Sequence, residues 1–162
     1  MNALIPAFVA VLLAEIGGPL TIFARARRTS AALAMLGLLI IAVVGGWAIA
    51  AILDIHARTL LLGLALLFAG SAQFGQRAVT AEPTIIASGM MLYRSPAPFL
   101  AFAFTAWISA PFSTVTGAIA GVGAAVFVGS AGAVIPRAVR MGAGMLLCLA
   151  GLIAGLNGLR LV

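Results

Sequence analysis

The amino-acid sequence predicts an all-α integral membrane protein, with six transmembrane helices arranged as two inverted three-helix repeats. Three observations predict it. Of 162 residues, 64% are hydrophobic and 7% charged, which leaves too little polar surface to cover a water-soluble globule. Apolar windows of spanning length recur along the chain, bounded by arginine or aspartate. A short stretch also recurs at matching positions of the two halves. The prediction is a single membrane domain over 1–162, with repeat 1 at about 1–76, a linker at 77–94 and repeat 2 at about 95–162.

A helix needs about 20 mainly apolar residues to cross the hydrocarbon, and a charge at its centre costs at least ~2.5 kcal/mol. The first window, Ala3 to Ala24, is apolar except for Glu15. Ala24-Arg25-Ala26 follows it, but Met1-Asn2-Ala3 carries no basic side chain and the apolar part is long, so a retained helix is expected in place of a cleaved signal. Ser30 to Leu53 gives the second helix and Thr59 to Gln76 the third. Ser95 to Pro136 is about twice the spanning length, with Gly117 and Gly121 near its centre. It reads as helices at 97–115 and 118–135 joined by a tight turn. Met141 to Leu159 gives the sixth. Pro83 to Tyr93 is too short to cross and is expected to lie at the interface or re-enter.

Charge sets the expected orientation. The nine basic residues are all Arg, against three acids, for a formal net charge of +6. Arg25, Arg27, Arg28, Arg77, Arg94, Arg137 and Arg140 fall in odd-numbered loops, and only Arg58 and Arg160 on the other side. The positive-inside rule then puts the odd loops in the cytoplasm of a cell with this protein in its inner membrane, and both termini outside. The arginines form no dense run with interleaved aromatics, so nucleic acid is not an expected partner. One cysteine, Cys148, and one histidine, His56, exclude a disulfide framework, a Cys/His metal cluster and a Cys/His nucleophile pair. No second catalytic group lies near Glu15 in sequence, so no enzyme is expected. Asp54, His56 and Arg58 read as a solvated turn. The pairs Gly117/Gly121 and Gly151/Gly155 predict close helix contact, within the chain or between copies in a homo-oligomer.

The internal repeat aligns Ala14-Glu15-Ile16-Gly17-Gly18-Pro19-Leu20-Thr21 with Ala106-Trp107-Ile108-Ser109-Ala110-Pro111-Phe112-Ser113, and Pro6 and Pro98 fall at the same offset. The first and fourth helices run in opposite directions in this topology, which makes the repeat inverted. Such repeats commonly place their site at the midplane, where interrupted helices meet. Proline lacks an N–H and clashes with the carbonyl four residues earlier, so Pro19 and Pro111 are expected to free the carbonyls of Glu15 and Trp107. An ionisable side chain at membrane depth marks a functional site by default, and Glu15 is the acid found there. A carboxyl in that environment favours its neutral form unless a cation or donor is near, which suits exchange of a proton for a cation. The expected lining is Gly17, Gly18, Thr21, Trp107, Ser109 and Ser113. A protonated Glu15 in an interhelical hydrogen bond, to Thr21, Ser109 or Ser113, is the structural alternative.

At these residues the sequence resembles the GDT-type family of manganese/calcium:proton exchangers, six-helix membrane proteins whose first and fourth helices each carry E-x-G-D-[KR]-[ST]. Here the first copy reads Glu15-Ile16-Gly17-Gly18-Pro19-Leu20, after Val11-Leu12-Leu13-Ala14. The resemblance implies a divalent cation:proton antiporter with Mn2+ or Ca2+ as cargo, no resident cofactor, and acids of both copies holding the ion. Only Glu15 and Gly17 carry over. Gly18 stands in place of Asp, Pro19 in place of the basic residue, and Trp107 and Ala110 in place of the second Glu and Asp. One carboxylate leaves a dication short of ligand charge. Two functions follow as expectations: a transporter with Glu15 as its proton or cation group, or a non-transporting membrane subunit that keeps the fold.

Overall fold

The computed structural model describes residues 3–16, 29–75, 95–131 and 135–161, with side chains in the second helix from Met35 onward. Among these residues the chain forms six helices: α1 (Leu4–Glu15), α2 (Thr29–Ala50), α3 (Ile55–Gly75), α4 (Ala97–Ile108), α5 (Pro111–Ser130) and α6 (Arg137–Gly158). Helix is the expected outcome for such apolar stretches, because every backbone N–H and C=O is then satisfied within the segment. Gly17, Gly18, Pro19, Thr21, the linker 77–94 and the 83–93 segment lie outside the described residues.

Among the described residues three helices are long and apolar enough to cross a membrane: Ile55–Phe74, Pro111–Ser130 and Arg137–Gly158. α1 and α4 are apolar but only 12 residues each, which is about 18 Å against a hydrocarbon core of about 30 Å. Pro6 and Pro98 both fall in first turns, where a missing N–H costs no helix bond. Large apolar side chains cover the outside, among them Ile40, Ile41 and Val44 of α2 and Leu149, Leu152 and Ile153 of α6. That exterior fits a membrane-associated protein.

The expected helices at 97–115 and 118–135 are corrected to 97–108 and 111–130. The break falls at Ser109-Ala110, not at the glycines. Ser109 takes a left-handed conformation, φ 56° and ψ 30°, and its N–H still bonds the Thr105 carbonyl at 2.8 Å. Ala110, restricted by the proline after it, leaves the helical region, and Pro111 opens α5. Pro111 therefore starts a helix and does not kink one. Gly117 and Gly121 lie inside α5 and face the α1 backbone at the carbonyls of Leu4 and Phe8. They act as contact residues, as the GxxxG spacing implies, and not as a turn.

Contacts in register give the directions of the helices. Gly117 meets Leu4 and Gly121 meets Phe8, so α1 and α5 run parallel. Gly46 of α2 packs on the Phe102 carbonyl and Thr105 of α4 in the same close manner. α3 runs antiparallel to α4: Phe68 sits edge-on to Phe99 at 5.9 Å between ring centroids, and Arg58, ten residues earlier, reaches Ser109, ten residues later. α3 and α6 form the most extensive pair, and glycines line their contact. A methyl group at Gly63 would lie 2.6 Å from the Gly155 nitrogen, and one at Gly151 would lie 2.7 Å from the Leu67 nitrogen. Gly70 and Gly144 face each other further along, and Gly158 abuts Leu60. Val11, Met35, Leu39, Leu66, Leu100 and Val122 fill the core between the helices.

Backbone contact at this seam predicts opposite responses at two glycines of one GxxxG pair. Gly151→Ala forces α3 and α6 apart and should cost about 1–3 kcal/mol. A methyl at Gly155 meets nothing within 4 Å, so Gly155→Ala should be neutral or stabilise by up to about 1 kcal/mol through helix propensity. Thermal unfolding of the two purified variants in detergent measures the difference.

Candidate functional site

Of the five buried polar side chains among the described residues, Glu15, Gln73 and Ser95 lie at one end of the bundle, while Thr105 and Thr114 lie toward the other and bond the carbonyls of Ala101 and Ala110. Glu15, the last residue of α1, is fully buried, and the Ser95 hydroxyl donates a hydrogen bond to its Oε1. The Ser95 Oγ in turn accepts the Ala97 N–H at 3.3 Å, so the hydroxyl links the carboxyl to the start of α4. The positive end of a helix dipole favours negative charge there. Gln73, 1% exposed, comes from the last turn of α3. Its Nε2 donates to the Ala14 carbonyl and, at 3.5 Å, to the Leu13 carbonyl. The Gln73 Oε1 is buried and has no hydrogen-bond partner.

This arrangement follows from the short length of α1. The last carbonyls of a helix lack partners within it, and here a side chain of another helix supplies donors to them. Ile16 leaves the helical region with ψ 108°, although its N–H still bonds Leu12 at 3.0 Å. The Gln73 amide covers the carbonyls just before that point.

The opposite end holds a second polar group. The Arg58 guanidinium donates from Nε to the Leu53 carbonyl at 2.9 Å, from Nη1 to the Ser109 Oγ at 3.0 Å, and from Nη2 to the Ala50 carbonyl. One side chain thus binds carbonyls after the end of α2 and reaches the α4–α5 break. The Asp54 Oδ1 accepts the Ala57 N–H at 2.8 Å, an N-terminal cap on α3. Arg160 Nε donates to His56 Nε2 at 3.0 Å. An open cavity of about 280 Å³ lies beside this group, lined by Trp47, Ala48, Ala50, Ala51 and Ser109. The expected solvated turn is therefore, at Arg58, a part-buried cross-link.

Of the expected lining of Glu15, the described residues Trp107, Ser109 and Ser113 lie away from it. Ser95 and Ser109 stand before and after α4, about 20 Å apart by helical rise, and only Ser95 meets Glu15. Ser109 is exposed and bonded to Arg58, and Ser113 donates to the Ala110 carbonyl at 3.1 Å. Trp107 is half-buried against the core, tilted edge-on to Phe104 with ring centroids 6.4 Å apart. These three belong to the Arg58 end. The C-terminal ends of α1 and α4 lie at opposite ends of the bundle. Gly17, Gly18 and Thr21 lie outside the described residues. Among the described residues no group of three His, Cys, Asp or Glu side chains could hold a metal ion.

Sequence reading missed Gln73 and Ser95, and took Arg58 for a solvated residue. Each sits near the edge of an apolar window, and a polar residue just inside such an edge is the one signal that could have pointed to it. Comparison with protein-family models, with curated proteins and with solved structures found no match. Fold and site together define an all-helical, membrane-associated protein with a buried carboxyl at a helix end.

Two substitution pairs check these assignments by unfolding. Glu15→Gln keeps an acceptor for Ser95 and should stay within about 1 kcal/mol of wild type, whereas Glu15→Leu should cost about 1–3 kcal/mol. Arg58→Ala removes three hydrogen bonds and should cost about 1–3 kcal/mol, more than Ser109→Ala, which removes one. Arg58→Lys should rescue little, because an ammonium cannot reproduce the planar fork.

Proposed function

We propose that the protein is a small proton-coupled cation transporter of the inner membrane, built as two inverted three-helix repeats, with Glu15 as the group that exchanges proton for cation. The observation that carries this reading is the fully buried Glu15 carboxyl at the end of a half-length helix, met there by Ser95, with Gln73 on the adjoining carbonyls. Interrupted helices with buried polar groups at their ends are how inverted-repeat transporters hold ions.

Several features support the repeat. α1 and α4 have equal length, and each carries a proline in its first turn. α1 packs mainly on α5 and α4 on α2, while α3 and α6 pair with each other. These three pairings survive an exchange of α1 with α4, α2 with α5 and α3 with α6. Orientation draws on charge: Arg137 and Arg140 open α6 at the Glu15 end, and Arg58 and Arg160 lie at the other. The arginine excess then assigns the Glu15 end to the cytoplasm and both termini to the outside. Mn2+ and Ca2+ enter as cargo through the resemblance to GDT-type exchangers alone.

A second reading, a non-transporting membrane subunit with the same fold, is favoured by one observation: the ends of α1 and α4 stand at opposite ends of the bundle. Proteoliposome flux separates the two. Transport predicts proton-linked cation movement in wild type that falls at least about tenfold in Glu15→Gln, since the amide cannot release a proton. Absence of flux under any imposed cation or proton gradient rejects transport and leaves the subunit reading.

A further inference from the structure

We propose that the open cavity beside Arg58 seats the headgroup of an anionic phospholipid, with one acyl chain laid along the exposed face of α2. The site lies at the end of the bundle away from Glu15 and is independent of the transport reading.

The cavity, about 280 Å³, is walled by Trp47, Ala48, Ala50, Ala51 and Ser109. Arg58 stands one hydrogen bond behind two of these residues, donating from Nη1 to the Ser109 Oγ at 3.0 Å and from Nη2 to the Ala50 carbonyl. Its Nε donates to the Leu53 carbonyl, so all three partners are neutral oxygens and none of them balances the positive charge. A guanidinium carries five N–H donors, and the two not used here suit a phosphate oxygen. The Ser109 hydroxyl accepts from Arg58 and, among the described residues, donates to no other group, which leaves its proton for the same ligand. Ser109 also holds a left-handed backbone, φ 56° and ψ 30°, that glycine adopts at lower cost. What serine adds at this position is the hydroxyl.

Charge and shape select the ligand. Among the described residues this end carries Arg58 and Arg160 against Asp54, whose Oδ1 accepts the Ala57 N–H, while His56 accepts from Arg160. That balance favours a net anion over a zwitterion, whose ammonium would meet an excess of positive charge. Ile40, Val44 and Trp47, each more than half exposed, fall at i, i+4 and i+7 of α2. They form an apolar track about 10 Å long that ends at the cavity wall. A soluble phosphate would use the polar head of this site and leave the track bare, whereas a phosphate joined to an acyl chain uses both. Trp47 stands at the junction, the position that tryptophan favours at a membrane–water interface.

Thermal unfolding of the delipidated full chain in detergent tests the site, with phosphatidylglycerol, phosphatidylcholine and glycerol 3-phosphate added in parallel. At about 100 times its Kd, phosphatidylglycerol should raise Tm by roughly 5 °C or more. Its apparent affinity should exceed that of either other compound by about tenfold or more. Ser109→Gly removes the hydroxyl and relieves the backbone, so the variant should fold and bind phosphatidylglycerol about tenfold more weakly. Ala51→Glu sets a like charge on an exposed wall residue and should abolish the preference, whereas Arg137→Gln, exposed at the other end, should leave it unchanged. An equal response to the two lipids overturns the site, and so does an equal response to glycerol 3-phosphate, which marks a pocket for soluble phosphate. A preference that survives in Ala51→Glu, or that falls only in Arg137→Gln, puts the lipid elsewhere and overturns it too. Native mass spectrometry of wild type in an equal mixture of the two lipids needs no variant: retained phosphatidylglycerol is the expected result, and its absence overturns the site.

Discussion

Backbone carbonyls at the end of a helix must find donors, and in an apolar bundle they find them on other helices. α1 stops at Glu15, and the Gln73 amide from α3 covers the carbonyls of Leu13 and Ala14. α2 stops at Ala50, and Arg58 from the first turn of α3 covers the carbonyls of Ala50 and Leu53. α3 is thus the donor to both ends. Its own pairing with α6 holds it in place, and the polar groups at the two ends inherit their positions from that pairing.

The close contacts obey a common rule. Gly117 and Gly121 of α5 lie on carbonyls of α1, Gly46 of α2 lies on a carbonyl of α4, and glycines of α3 and α6 lie on each other's backbone. Small residues at helix contacts allow the dispersion and weak C–H···O interactions that replace hydrophobic driving force among apolar surroundings. Many large side chains are also turned outward, as Leu152 and Ile153 of α6 illustrate.

Much of this was legible in the sequence. Apolar windows located α2, α3 and α6 to within four residues but overran the end of α1 and misplaced the α4–α5 break; the GxxxG pairs marked contact positions, and Glu15 stood out as the acid within an apolar run. What escaped reading was tertiary. Ser109-Ala110-Pro111 and Gly117/Gly121 both read as breaks, and the choice between them depended on α1, whose backbone needs the glycines inside a helix. Gln73 and Ser95 lie 58 and 80 residues from Glu15 in sequence, so no local pattern links them to it. The breaks after Glu15 and Ile108 lie apart for a geometric reason. Each ends a short helix, the two helices run in opposite directions, and so the ends point to opposite faces.

The glycine seam of α3 and α6 also bears on biosynthesis. Its two halves are separated by all of α4 and α5, so α3 leaves the ribosome long before its partner exists. Until then its notched face, Gly63 and Gly70 included, has only lipid or a chance neighbour against it. Closure waits for the last helix, and a chain truncated before α6 would keep an open groove that insertion machinery or proteolysis could recognise.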